Sequence, residues 1–293
     1  MLQPTAPDRA PRDVPTASVQ PDHGFAGPAS IAWRINGERL GLLGWGRAIL
    51  LQFAHPLVAA GVAHHSQFAS DPLGRLRRLQ HTLDASLALT FGTTAEAIAT
   101  ARHIDGIHGR VHGSLDATVG PFAAGAPYFA RDPHLLRWVH ATFVDSLLRT
   151  YQMYVGPLSV AEQDRYCLEG TAMAPMLRIP EGFLPTTAAD LARYLDDMLA
   201  SGEIVVGDTA RGLARELLAP LGPPVLRPLE TLLRLPIVGL LPPAIRTAYG
   251  LPWTPRHAAL LRRTAALSRR LWPLLPAVVR RWPAARVAAR RAR

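Results

Sequence analysis

The stretch over residues 44–82 constrains the fold more than any other part of the chain. It begins with a nearly uncharged apolar run over residues 44–63, in which Arg47 is the one charged side chain. It ends on a basic segment that contains Arg75, Arg77, Arg78 and His81. A continuous apolar run predicts a buried helix, and polar groups carried into such burial need partners. We therefore expect the basic end to line a site that binds something anionic.

Helical spacing and helix-start signals recur along the rest of the chain. Capping pairs predict the N-termini of three helices at Thr93 with Glu96, Ser159 with Glu162, and Thr187 with Asp190. The sequence contains no period-2 strand series, no internal repeat and no Gly-rich phosphate loop. These patterns predict an all-α fold, a single globular bundle of roughly ten helices around a buried pocket.

Three regions of the chain differ in composition. Residues 1–25 are polar and Pro-rich without periodicity, which predicts a disordered leader. Residues 26–250 carry the helical patterns and form the predicted globular domain. Residues 251–293 form a predicted Arg-rich amphipathic C-terminal tail, because the last acidic residue is Glu230 and eleven Arg lie from Arg256 onward. The formal net charge of +10 therefore belongs mainly to this tail.

Composition also restricts cofactors, location and partners. The single Cys167 excludes a disulfide within the chain, and it excludes a thiolate zinc site or an iron–sulfur cluster built by one chain. The first residues lack the apolar core of a signal peptide, and no uncharged apolar run reaches about 18 residues without Pro or Gly. We expect a cytoplasmic protein, peripheral at an anionic membrane where the tail docks, because Trp272 and Trp282 lie among its Arg. No pattern for specific nucleic-acid recognition is present.

Three predicted helices place a polar side chain toward the core. Arg78, His81 and Thr82 lie on the face next to a Leu stripe, and His108 and His140 each occupy a position within an apolar stripe. A neutral imidazole at such a position is a good axial ligand for haem iron. An Arg on a facing helix could pair with a haem propionate or with a reduced oxygen ligand. The pattern favours a haem pocket between these helices.

Other interpretations of the same residues stay open. An inward His such as His108 is often a core residue whose ring bonds a backbone carbonyl. His108 and His112 also have the four-residue spacing of metal ligands, so a non-haem iron or zinc site completed by Glu169 is an alternative. Of the adjacent His64 and His65, at most one can face inward on a helix.

Several long motifs, in order, resemble a known family. They are GRAILLQFAHPLVAAGVAHHSQF, DPLGRLRRLQHTLD followed by FGTTAEA, IHGRVHG, PYFARDPHLLRWVHATFVDS and LSVAEQDRY. These segments are similar to bacterial latex-clearing proteins (rubber oxygenases) and to a fungal oxygenase of mycophenolic acid biosynthesis, and the resemblance covers about residues 27–199. The resemblance implies an all-α, haem b-binding oxygenase-type domain.

The resemblance also implies roles for individual residues. The segment from Arg78 to Thr82 resembles the Arg-x-x-Lys-Thr segment beside the haem of the rubber-cleaving members, with His81 where the Lys would be. His108 resembles the proximal haem ligand, and His140 resembles a further family His of supporting role. Because the Lys is replaced, rubber cleavage is not carried over. The glutamate that acts near oxygen in those members has no counterpart.

Together these features predict a haem b-dependent oxygenase. In this hypothesis His108 holds the iron, dioxygen binds at the sixth position, Arg78 stabilises charge at a propionate or at bound oxygen, and Thr82 hydrogen-bonds nearby. The substrate would be an apolar small molecule, unsaturated or isoprenoid-like, that enters between Leu-rich helices. The alternatives are a haem-binding protein without turnover and a helical protein that associates with a membrane surface.

Overall fold

The computed structural model describes residues 22–65, 72–220, 225 and 227–292. The side chains of residues 72, 73, 75, 76 and 78 are outside this description, whereas the side chain of Arg77 is described. In this part of the chain fourteen α-helices account for nearly all regular structure, which confirms the all-α prediction. Most of the predicted leader, residues 1–25, lies outside the described residues.

The helices follow one another with short connections. They are α1 (Ile31–Asn36), α2 (Leu42–Phe53), α3 (Pro56–His65), α4 (Pro72–Phe91), α5 (Thr94–His108), α6 (Pro133–Tyr154), α7 (Val160–Gly170), α8 (Ala188–Ala200), α9 (Asp208–Leu217), α10 (Arg227–Gly239), α11 (Pro243–Ala248), α12 (Pro255–Leu271), α13 (Ala277–Arg280) and α14 (Pro283–Arg291). Short 3-10 turns occur at Arg39–Gly41, Thr171–Met173, Pro175–Leu177 and Trp272–Leu274.

A small hairpin interrupts the helical pattern after α5. Strand β1 (His112–Ser114) pairs antiparallel with β2 (Pro127–Phe129), so that His112 lies opposite Phe129. The sequence analysis missed this hairpin because each strand has only three residues, too few to show a period-2 pattern.

The core forms where α2 packs against α6, the longest helix of the described chain. Trp138 of α6 is fully buried, and its indole N–H donates to the Leu51 carbonyl at 3.2 Å. A Cβ added at Gly44 would lie 2.6 Å from the Thr150 hydroxyl, so glycine permits this close approach of the two helices. The predicted capping pairs begin α5, α7 and α8 as expected.

The one Arg of the apolar run is paired inside this α2–α6 interface. The Arg47 guanidinium lies 2.7 Å from the Asp145 carboxylate and donates to the Ser146 hydroxyl at 2.6 Å and to the Leu240 carbonyl at 2.7 Å. A buried charge requires this degree of pairing and hydrogen bonding. The expectation of partners for buried polar groups thus holds at Arg47.

Chain direction changes sharply between α2 and α3. Among the described residues no single helix is long and apolar enough to cross a membrane. One bent pair, Arg39–Phe53 with Pro56–His65, meets the length and composition of a span but is bent by 105°. Pro56 explains the break, because a proline ring clashes with the preceding helical turn.

The C-terminal helices pack on the rest of the domain. Leu261 and Ala265 of α12 join a cluster with Tyr154 and Leu235. Ala285 and Ala288 of α14 pack with Trp33 and Phe91. The amphipathic pattern seen in residues 251–293 therefore places its apolar stripe against α1, α4, α6 and α10.

Candidate functional site

A cavity of about 200 Å³ lies between α1, α4, α6, α7 and the turns that follow α7. Most of its wall is apolar, with side chains that include Trp45, Leu83, Leu87, Phe143, Val144 and Leu147. The polar side chains in the wall are few: Asn36, Glu38, Ser86, Thr90, His140, Tyr166 and Glu169. An apolar cavity with a few convergent polar groups is the usual form of a small-molecule site.

Three polar side chains of the wall form one hydrogen-bonded line. The Tyr166 hydroxyl donates to the Asn36 side-chain oxygen at 2.8 Å, and the Asn36 amide donates to the Thr90 hydroxyl at 3.1 Å. Burial raises the pKa of Tyr166, with smaller contributions from Cys167 and Glu169, so the phenol stays protonated and remains a donor. The sequence analysis did not find Tyr166 or Asn36, since the line joins three helices that are distant in sequence.

His140 is the predicted site residue that lies in the cavity wall. Its Nε2 is 3.0 Å from the Gly170 carbonyl oxygen, which accepts only, so Nε2 carries the proton and Nδ1 carries the lone pair. Nδ1 is buried and has no hydrogen-bond partner among the described residues. Burial lowers the pKa of His140 against the opposing effect of the Gly170 bond, so the ring is neutral. The wall thus contains a neutral imidazole whose second nitrogen is buried and without a hydrogen-bond partner in the described chain.

His108 lies outside this wall. It is the last residue of α5 and is half-buried. Burial lowers its pKa, while the nearby Asp105 carboxylate opposes that shift and the Arg131 guanidinium adds to it. Asp105 itself binds two guanidiniums, those of Arg131 at 2.8 Å and Arg178 at 2.9 Å. The backbone-carbonyl bond expected of a core His is seen in the described chain at His140 rather than at His108.

The α4 residues of the predicted site lie on another face of that helix. His81 and Thr82 are exposed, which corrects the expectation that both face the core. Helix α4 turns Leu83 and Leu87, four residues apart, toward the cavity, and positions one or two residues before Leu83 point elsewhere on a helix. The side chain of Arg78 lies outside the described residues. The roles proposed for these three residues therefore stay predictions.

His64 and His65 both contact the hairpin and neither lines the cavity. His64 Nδ1 lies 2.9 Å from the Tyr128 hydroxyl and its Nε2 lies 3.0 Å from Asp116. His65 Nε2 lies 3.0 Å from the backbone carbonyl of His112. These contacts bind α3 to β1 and β2.

The non-haem metal alternative is not assembled in the described chain. In that part of the chain no group of three or more His, Cys, Asp or Glu side chains is placed to hold a metal ion. Helix α5 ends at His108 and His112 begins β1, so the two do not share a helix face. Glu169 is engaged elsewhere, because it accepts from the Ala32 amide and from Arg165, each at 2.8 Å.

A second depression, of about 810 Å³, lies between α9, α10 and the start of α12. Arg211, Arg215, Arg234 and His257 contribute to its wall. None of the residues singled out in the sequence lies there, so the smaller apolar cavity with His140 is the better candidate site.

Comparison with known protein families decides the chain's relationship. A family described as "ER-bound oxygenase mpaB/B'/Rubber oxygenase, catalytic domain" matches residues 33–270. The chain belongs to this family. The match confirms the resemblance noted in the sequence and extends it through α12. No curated protein and no solved structure matches the chain.

The residues of the cavity fit a haem in chemistry but not in size. The neutral His140 ring has an unpartnered nitrogen, as a residue that holds haem iron would need, and the apolar wall suits a macrocycle. A volume of about 200 Å³ is smaller than the roughly 300–1,000 Å³ of pockets that enclose drug-sized ligands. The wall must therefore widen for a macrocycle to enter.

Proposed function

We propose that this protein is a haem b-dependent oxygenase that acts on an apolar small molecule, unsaturated or isoprenoid-like. Membership of an oxygenase catalytic-domain family over residues 33–270 is the observation that carries this proposal. The apolar cavity supports it, because such a wall binds an apolar substrate and excludes water from it. The predicted cytoplasmic location belongs to the same proposal.

Two His residues are candidates to hold the haem. The resemblance favours His108, whereas His140 is supported by its place in the cavity wall and by its unpartnered Nδ1. In either case the low pKa keeps the ring neutral, as a ligand to iron must be. Bound haem would supply the iron that activates dioxygen, while the protein supplies binding, orientation and electrostatics.

The side chains around the cavity have separate roles in this proposal. Trp45, Phe143 and Leu147 hold an apolar substrate. Tyr166 stays protonated and donates a hydrogen bond to Asn36, which holds the Asn36 side chain in place on the polar side of the wall. The Gly170 carbonyl holds the His140 ring in one orientation. Arg78, His81 and Thr82 keep their predicted roles near the haem propionates or the oxygen site.

The proposal is tested by the spectrum and oxygen consumption of the protein from cells supplied with iron and a haem precursor. We expect a Soret band with near-stoichiometric haem by the pyridine haemochrome assay, and oxygen uptake when a polyunsaturated isoprenoid such as squalene is added in detergent. Absence of haem after reconstitution would contradict the proposal.

A haem-binding protein without turnover is the second candidate. It is favoured by His81 at the position of the family's Lys, with a side chain that is exposed rather than in the cavity wall. Stoichiometric haem without oxygen uptake for any isoprenoid or unsaturated lipid, and a spectrum that these compounds do not change, would favour this candidate over the oxygenase.

A further inference from the structure

An exposed apolar loop stands out near the C-terminus. Residues 271–279, with the sequence LWPLLPAVV, are flanked by Arg269 and Arg270 on one side and by Arg280 and Arg281 on the other. Its exposed large apolar side chains are Leu271, Leu274, Leu275, Val278 and Val279. The side chain of Leu274 is 77% exposed and that of Val278 is 53% exposed. A contiguous exposed apolar patch of this kind marks an interaction surface.

Both ends of the apolar loop are fixed to one buried carboxylate. The Trp272 indole N–H donates to Glu38 at 2.8 Å, and Arg280 lies 3.4 Å from the same carboxylate. The Trp282 amide then donates to the Gly37 carbonyl at 3.1 Å. The loop is therefore closed at its base, and this closure holds its apolar tip away from the core.

The charged residues that flank the apolar loop in sequence are all Arg. Arg269 and Arg270 are exposed at the end of α12, and Arg262 and Arg263 are exposed two turns earlier. No acidic residue follows Glu230 in the chain. Apolar side chains flanked by Arg match the surface of a bilayer that contains anionic lipid, where the Arg meet headgroups and the apolar groups meet acyl chains.

The apolar loop adjoins the cavity. Glu38, which fixes both ends of the loop, and Trp282, which follows it, are both part of the cavity wall. Residues that hold the base of the loop therefore also line the cavity, and a surface bound by the loop lies near that wall.

We propose that the apolar loop inserts into the surface of an anionic bilayer and that the cavity receives its substrate from that bilayer. The membrane contact is independent of turnover. The statement about substrate rests on the proposed oxygenase function, and it specifies a molecule dissolved in the lipid phase rather than in water. In this arrangement the wall at Glu38 and Trp282 is the side of the cavity nearest the lipid.

Vesicle co-sedimentation tests the membrane contact with the full chain. We expect binding to vesicles of equal parts phosphatidylcholine and phosphatidylglycerol, and little binding to phosphatidylcholine alone. The double variant Leu274→Asp/Val278→Asp should lose binding at least tenfold, whereas Val160→Asp should not, although Val160 is also apolar and 70% exposed.

Arg269→Gln/Arg270→Gln should weaken binding tenfold or more, since each Arg near such a surface contributes roughly fivefold. The matched control is Arg102→Gln/Arg193→Gln, which removes two exposed Arg elsewhere.

A probe on the loop reports insertion directly. Cys167 is 1% exposed and burial raises the pKa of its thiol to about 12, so an environment-sensitive label reacts with an added Leu274→Cys instead. Its emission should shift to the blue with anionic vesicles, and the same label on Val160→Cys should not shift. An unshifted label at position 274, or equal binding by the Asp variant, would overturn the proposal.

Other occupants of the loop give different outcomes. If the loop covered a second copy of the chain, sedimentation velocity without lipid would show a dimer that the Leu274→Asp/Val278→Asp variant dissociates, and this too would overturn the proposal.

Turnover rates in detergent and in vesicles distinguish the delivery of substrate from lipid from the oxygenase function itself. We expect the loop variant to oxidise substrate in detergent as wild type does, yet to act at least tenfold more slowly on substrate held in anionic vesicles. Equal loss in detergent and vesicles would contradict the delivery of substrate from lipid.

Discussion

His140 lies in the cavity wall and His64 contacts the hairpin, but the two rings differ in their hydrogen bonds. At the hairpin both nitrogens of His64 have partners, Tyr128 and Asp116. At the cavity one nitrogen of His140 bonds Gly170 and the other, buried, has none in the described chain. A ring with two partners fixes structure, whereas a buried ring with an unused lone pair costs stability unless something binds it. The difference supports our proposal that the cavity is the functional region.

The largest expected effect is the difference in stability between two carboxylate variants, one in the α2–α6 interface and one beside the hairpin. Asp145→Ala should destabilise the protein by about 3–5 kcal/mol, because it leaves the Arg47 charge buried in the α2–α6 interface without this partner. Asp116→Ala, at a carboxylate 86% exposed beside the hairpin, should change stability by about 0.5 kcal/mol or less. Urea unfolding of both variants measures the two values, and equal losses would contradict the conclusion that the Arg47 charge depends on its buried partner in the α2–α6 interface.

The two tyrosines should differ by a smaller amount. Tyr166→Phe leaves the Asn36 oxygen without its donor inside the cavity wall and should cost about 1–3 kcal/mol. Tyr128→Phe should cost about 1 kcal/mol or less, since water can reach the partly exposed His64 ring in its place. The same unfolding experiment compares them, and a larger loss at Tyr128 would reverse the comparison.

Low pH should reduce the stability of the folded protein, because each of the two regions contains a buried His ring. Burial lowers the pKa of His55, which packs on Phe122 between β1 and β2, to about 4, and it lowers the pKa of His140. Both rings bind a proton more readily in the unfolded chain, so stability is full above the unfolded pKa of about 6.5 and decreases as the pH falls. For His55 the decrease should approach about 1.4 kcal/mol per pH unit and end near about pH 4.

The variant His55→Gln removes this titration. We expect its stability to depend less steeply on pH between about 6.5 and 4 than that of the wild type, as followed by urea midpoints at each pH. The wild-type protein, measured in the same buffers, is the reference. An unchanged slope for His55→Gln would show that this ring does not contribute.

The helices could be predicted from sequence because their signals are local. Thr93 with Glu96 and Ser159 with Glu162 begin helices by contacts that span three residues. Prediction was weaker where a helix ends. The break after His108 separates it from His112, and the three-residue strands that follow leave no periodic pattern.

The cavity wall could be predicted only in part. His140 was found because an apolar stripe contained it, but which side of α4 faces the cavity depends on how α4 packs, and that is not a local property of the sequence. Asn36, Tyr166 and Glu38 were missed for the same reason. Each is an ordinary polar residue in sequence, and its place in the wall arises from contacts with residues that are distant along the chain.

The haem spectrum of three His variants tests the central claim most directly. His140→Ala should lose the haem or change its Soret band, because it removes the buried unpartnered nitrogen of the cavity, whereas His64→Ala at the hairpin should keep both. His108→Ala, measured beside them, shows whether the ligand implied by the resemblance also contributes. Wild-type haem content and an unchanged spectrum in His140→Ala would contradict the assignment of the cavity as the functional site.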